Sequence, residues 1–302
     1  MKMKRIAILN LLIMSSLFIA TAQVKLSFNP KEDIKYEYLT EIQQTIEQTA
    51  MGRNLQIKED VTMKQLASIK SKNVKETEVQ FSHQDFSYNL SAPMMKMGYD
   101  SKKPNINPSE LDRMLEKIFG DVIGKSFTLS IASNGSVNSV SGIGTISESI
   151  TQAVSVHGQM GEHLSTSMTD QWLGEEAIKG MVEQSLHIYP SDAVNVGESW
   201  TLESDYGISN KKSTIKTKYT LKDVKNDAAT ITVEATVILD PGGGLEGVLT
   251  GTQNGSILVD IKTGIPVSSD LKLTINGDVE QQNMKMQMSI TANTKTLIKE
   301  AE

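Results

Sequence analysis

Strict alternation of apolar and polar residues over long stretches is the feature that most narrows the choice of fold. Tyr36, Tyr38, Thr40, Ile42 and Ile46 share one parity, against Glu37, Glu41, Gln43 and Glu47 on the other. Leu55, Ile57, Val61 and Met63 continue the pattern. In the second half, Ile215, Thr217, Tyr219 and Leu221 oppose Lys216, Lys218 and Lys222. Ile231, Val233, Ala235 and Val237 oppose Thr230, Thr232, Glu234 and Thr236. Leu271, Leu273 and Ile275 oppose Lys272 and Asn276, and Met284, Met286, Met288 and Ile290 oppose Lys285, Gln287 and Ser289. A period of two puts successive side chains on opposite faces, so these runs predict antiparallel strands with one face buried and one wet. Val79 and Phe81 are odd, whereas Phe86, Tyr88 and Leu90 are even. A one-residue slip exchanges the faces of a strand, so a bulge or turn is expected between His83 and Asp85.

Helical spacing is confined to the middle of the chain. Leu111, Met114, Leu115, Ile118, Phe119 and Val122 form one stripe, with Asn107 as the expected cap, Pro108 in the first turn and Gly120 or Gly124 at the end. Thr145 and Glu148 suggest a capping box for a second helix bearing Ile146, Ile150, Ala153, Val154 and His157 on one side. A third is expected from about Glu175 to Leu186, with Ile178, Met181, Val182 and Leu186 inward. The predicted class is α+β. It is a mainly antiparallel, strongly curved and half-barrel-like sheet, covered by two or three amphipathic helices.

The N-terminus carries an export signature. Lys2, Lys4 and Arg5 precede an apolar stretch from Ile6 to Ala20, and Ala20-Thr21-Ala22 has the small-x-small form that signal peptidase accepts. The stretch of about 15 residues is short of the roughly 20 needed to span a bilayer. Residues 1–22 are therefore read as a signal peptide, and the mature chain as periplasmic or secreted, with no membrane span after cleavage. Beyond it, an N-terminal β-rich lobe with the helices is expected over 23–190 and an antiparallel lobe over 191–302, either as two lobes or as one continuous domain. Two hairpins echo each other: Phe127–Ile131 with Val137–Val140 across Asn134-Gly135, and Ser256–Ile261 with Val267–Leu271 across Thr263-Gly264.

Composition removes whole classes of chemistry. The 302 residues contain no cysteine, which rules out disulfide frameworks, thiol nucleophiles and cysteine-held metal clusters. A net charge of −6 argues against nucleic acid as a partner. No Gly-x-Ser-x-Gly elbow is present. His157 and His163 are six apart across two glycines, which is not a metal-binding spacing. Asp240-Pro-Gly-Gly-Gly244 has no following Gly-Lys-Ser/Thr and reads as a loop tip. No catalytic residue, metal site or cofactor follows from these patterns.

Tyr189-Pro190, then Val194-Asn-Val-Gly197-Glu-Ser-Trp200, with Val259-Asp-Ile-Lys-Thr-Gly264-Ile-Pro266 further on, resembles an uncharacterised family of exported bacterial proteins, a domain of unknown function. More loosely, sheet plus helices behind a signal peptide is similar to the lipoprotein-carrier half-barrels. That similarity implies helices over a concave face and a gap for acyl chains. Trp200 itself reads as a core anchor at the start of a strand.

Methionine is abundant, with 15 residues. Thioethers are soft copper ligands, but without cysteine or a neighbouring histidine the Met284/Met286/Met288 ladder reads as adaptable packing or as the wall of an apolar groove. The expectation is that this ladder faces the helix carrying Leu111, Met114, Leu115 and Ile118 across a groove for a lipid or other apolar ligand. The expected role is non-enzymatic ligand binding or carriage in the cell envelope. The alternative is an envelope scaffold or assembly protein acting through protein–protein contacts.

Overall fold

The computed structural model describes residues 23–50, 52–154, 173–208, 211–241 and 245–301, with Gly158, Glu162 and Thr166. The expected signal peptide, His157 and His163 lie outside them. Among the described residues, thirteen strands form one antiparallel sheet. They are β1 (Lys35–Ala50), β2 (Arg53–Lys72), β3 (Glu76–Ala92), β4 (Met95–Asp100), β5 (Ser126–Ala132), β6 (Val137–Ser141) and β7 (Ser199–Ile208). They continue with β8 (Lys211–Lys225), β9 (Ala228–Leu239), β10 (Glu246–Gly247), β11 (Leu249–Asp260), β12 (Pro266–Gln281) and β13 (Met284–Glu300). Three helices are described, α1 (Glu110–Gly120), α2 (Ile143–Val154) and α3 (Glu175–Leu186).

The strand order is β6-β5-β3-β2-β1-β13-β12-β11-β9-β8-β7, with β4 beside β3 and β10 beside β12. First and last long strands meet at the centre, where β1 pairs with β13 from Tyr36↔Glu300 to Thr49↔Gln287. The sheet is not closed: β6 and β7 are its two ends. Helix α3 lies against both. Its Glu183 Oε1 accepts the Val137 N–H at 2.9 Å, satisfying a donor on an edge strand that would otherwise invite pairing with another chain.

The protein is thus largely β rather than α+β. The helices are short, at 11, 12 and 12 residues, while β2 alone runs for 20. Hairpins join most neighbours. Asn226–Asp227 and Gln282–Asn283 hold both turn residues at positive φ, the twist that matches flanking antiparallel strands. The expected phase switch is a bulge. Lys64 pairs with Asp85 but Gln65 with His83, so Gln84 is the extra residue.

Two of the expected helix starts move. The cap of α1 is Ser109, not Asn107: Ser109 Oγ accepts the Asp112 N–H at 3.1 Å and Asp112 Oδ2 accepts the Ser109 N–H at 2.8 Å. Proline at 108 therefore sits just outside the helix, where a missing N–H matters little. Helix α2 begins at Ile143, two residues before Thr145, whose hydroxyl donates back to the Gly142 carbonyl at 3.0 Å rather than capping.

Register lines up the even positions of β1 with one inward face. The outward face is polar, as where Glu37 meets Lys64 at 2.9 Å and Lys299 at 3.1 Å. The inward face carries two apolar clusters. The larger draws on both flanks of the sheet and all three helices, from Phe81, Phe127, Leu115, Ile146 and Ile178 to Leu221 and Ile231. The smaller contains Val237, Leu249, Ile275, Val279 and Met288, with Ile46, Ile215, Leu245, Met286 and Ile290 packed on it.

Candidate functional site

The expected groove residues divide between these clusters. Leu115 and Ile118 are fully buried in the larger one, Leu111 packs on its margin, and Met114 is buried beside them. Helix α1 packs on α2 and β4. Its Phe119 ring stacks on Phe86 at 3.9 Å and on Tyr99 at 5.9 Å. Met288 and Met286 belong to the smaller cluster, and Met284 is exposed where β13 begins. The two sets do not face each other. Sheet order explains why: β3, on which α1 sits, is separated from β13 by β2 and β1. At about 4.8 Å per strand that is some 14 Å, more than side chains bridge. The methionine ladder and the helix stripe are each apolar, but they serve different patches.

Between the patches runs a polar row. Tracing partners across the sheet from Gln44 gives Glu59, Leu90 and Met97 on one side. On the other side it gives Ala292, Leu273, Gln253, Ala235, Thr217 and Leu202. Four strands thus place a single inward polar residue at the same height: Gln44, Glu59, Thr217 and Gln253. Each is flanked two residues away by apolar side chains or glycine, as in Ile57-x-Glu59-x-Val61 and Gly251-x-Gln253-x-Gly255.

Glu59 is only 7% exposed. Its oxygens accept from the Tyr88 hydroxyl at 3.0 Å and Gln44 Nε2 at 3.0 Å. Burial, then the charge of Glu59, pushes the Tyr88 phenol well above its usual range, so it stays a donor. Gln253 and Thr217 are as buried, at 6% and 7%, and have no hydrogen-bond partner among the described residues. Both line a small cavity of ≈ 20 Å³ between α3 and the sheet, together with Glu183, Gln184, His187 and Ser204. Buried polar groups are normally paired, because leaving one unpaired costs about 1–3 kcal/mol. The polar atoms of these two line that cavity instead of meeting a protein partner, whereas the side-chain atoms buried without a partner among the described residues are Tyr36 Oη and His83 Nε2.

A second polar oddity lies in the larger cluster. His83 is 1% exposed beside the Phe127 ring, and Gln65 Nε2 lies 3.4 Å from its Nδ1. Its Nε2 has no partner among the described residues. Burial lowers its pKa to about 4, so the ring is neutral at physiological pH. A cleft of ≈ 590 Å³ with a mixed polar and apolar lining lies at the β3–β4 end, lined by Lys58, Asp60, Met97, Tyr99 and Asp112 among others. Asp112 is committed there to Gly98, Asn105 and Ser109. Among the described residues no three metal-binding side chains cluster, and no helix is long and apolar enough to cross a membrane.

The motif residues singled out in the sequence form one corner. The Tyr189 hydroxyl donates to the Gly264 carbonyl, and Trp200 Nε1 donates to the Ile188 carbonyl at 2.9 Å. Trp200 stacks on Tyr219 at 5.7 Å and packs against the larger cluster, as expected of an anchor. Gly264 has φ +68°, and a Cβ there would lie 1.9 Å from the Ser27 carbonyl oxygen, so no other residue fits. A single family model matches residues 73–266, which include this corner and all three helices. The chain belongs to DUF6263, a family of unknown function. The stretch typical of DUF6263 contains Thr217 and Gln253. It leaves out β1, β2, β13 and all but the first residue of β12, and so Glu59 and the methionine ladder. No curated protein matches the chain.

Solved structures give only faint likenesses. DynF from the dynemicin biosynthesis pathway of Micromonospora chersina is 9% identical over 91% of this chain and 85% of its own, with a TM-score of 0.21. The translocator domain of autotransporter NalP from Neisseria meningitidis is 6% identical over 87% and 88%, with a TM-score of 0.21. A DUF1329 family protein from Desulfovibrio piger is 9% identical over 88% and 84%, with a TM-score of 0.16. Scores this low carry no argument.

Proposed function

We propose that this DUF6263 protein is an exported, non-enzymatic binding protein of the cell envelope that holds an apolar ligand on the inner face of its sheet. The reading includes a strongly curved, half-barrel-like sheet. Helix α3, of 12 residues, lies against both β6 and β7, the two ends of the strand order. On a flat sheet the steps between them would span about 48 Å. The observation that carries the ligand reading is the contrast between the patches. The larger is packed by α1, α2 and α3. The smaller has no helix residue among its described members and is walled by Met286 and Met288. Methionine adapts to variable apolar partners better than branched side chains do. The ligand chain would lie along β13 and β12 over Met286, Met288, Val279 and Ile275.

Organic extraction of the protein purified from its native envelope, followed by mass spectrometry, tests this. Stoichiometric recovery of an acyl lipid is the expected result. An empty protein that co-purifies stoichiometrically with one envelope protein would favour the scaffold role instead.

A further inference from the structure

Resting on that reading, we infer that the cavity under α3 is a polar subsite that selects ligands with a neutral hydroxyl group on the chain. Gln253 offers both a donor and an acceptor, Thr217 offers a hydroxyl, and neither is used by the described protein. They lie on β11 and β8 with only β9 between them, within reach of one small group. A cavity of ≈ 20 Å³ has about the room that one hydroxyl oxygen needs and excludes a bulky head. Ile215 lines this cavity and also packs on the smaller apolar patch, so a chain on that patch leads directly to it.

Charge narrows the choice further. Glu183 lines the same cavity, its Oε1 held by the Val137 N–H, and so opposes a ligand carboxylate. Glu59 occupies the same row farther along, with no cationic partner among the described residues. Among the described residues that line the cavity there is no Lys or Arg to meet a fatty-acid anion. A long-chain fatty alcohol or hydroxylated acyl chain satisfies Gln253 and Thr217, whereas plain hydrocarbon leaves them without a ligand partner. Loss of a site's buried hydrogen-bond partner is what lets such sites discriminate.

The test uses the full mature chain and the neutral fluorescent probe N-phenyl-1-naphthylamine, displaced at pH 8 by a long-chain fatty alcohol or by the fatty acid of equal chain length. The alcohol is expected to compete at about tenfold lower concentration, as one or two hydrogen bonds would give. Gln253→Leu should bring the two lipids to equal competition while the probe still binds saturably. Thr217→Val serves the same purpose should Gln253→Leu fail to fold. Equal competition by the two lipids on the wild type, or a preference that survives both substitutions, overturns the subsite while leaving apolar binding intact. Failure of the wild type to bind the probe at all overturns both the subsite and the proposed function.

Discussion

Phe86, Phe119, Tyr99 and Phe127 fill the larger patch of the inner face with rigid rings locked beneath α1 and α2. The smaller patch, drawn mainly from β1, β8, β9, β11, β12 and β13, relies on Met286, Met288 and aliphatic side chains, with Met288 opposite Gly277. Gly251 and Gly277 bring neighbouring backbone so close that a Cβ would meet carbonyl oxygens at 2.0 and 2.6 Å. One region is designed around fixed shape and the other around adaptability. Stability should therefore reside in the first and ligand tolerance in the second.

The sharpest way to break that comparison is Phe119→Ala. The ring is fully buried against three aromatic neighbours, so its loss should cost about 3–5 kcal/mol in denaturant titration. A loss under about 1 kcal/mol would mean that the helix cover is as loose as the methionine patch.

Acid should act on the same region. His83 is held neutral when folded, with a pKa of about 4, whereas the unfolded chain takes up the proton near 6.5. The unfolded state thus binds more protons between these values, and stability falls as pH drops from 6.5 towards 4, by roughly 3 kcal/mol from this group. Thermal melts of wild type and His83→Phe across that window should diverge most at the acid end, with the variant losing less. Parallel curves would show that His83 does not carry the acid response.

How far the sequence reveals this division differs by feature. The bulge at Gln84 is visible because a parity change in Phe81 versus Phe86 has no other cheap explanation. The long strands β1, β2, β3, β8, β9, β12 and β13 follow from periodicity, as do the buried residues Leu115 and Ile118 of α1, Ile146 and Ile150 of α2, and Ile178 and Leu186 of α3; β4 and β10 do not. The α1 cap is missed because Asn107-Pro108 imitates a start that Ser109 and Asp112 supply. The pairing of the methionine ladder with α1 fails because apolar faces are interchangeable in sequence, and strand order decides which ones meet. The polar row is invisible for a related reason. Gln44, Glu59, Thr217 and Gln253 are each a lone exception within a strand, and only the registers of ten strands bring them to one height. The signal could have been sought in polar residues placed between two inward apolar ones, but such residues also occur singly at edges.

The smallest effect is expected where the molecule is most adaptable. Met288→Leu, a volume-conserving change in the smaller patch, should cost less than about 1.5 kcal/mol by thermal melt. A larger loss would mark that patch as a tightly fitted core and sharpen the case for the scaffold role.

Titration of N-phenyl-1-naphthylamine into wild type and Met286→Trp, with the Tm of each recorded, tests the central claim most directly. An adaptable apolar site accommodates the indole and is filled by it. The account predicts saturable binding by wild type, at least about tenfold weaker binding by Met286→Trp, and a Tm shift of no more than about 2 °C. If wild type shows no binding and Met286→Trp loses roughly 1–3 kcal/mol from overpacking, the smaller patch is ordinary core and the claim of an apolar ligand on the inner face is contradicted.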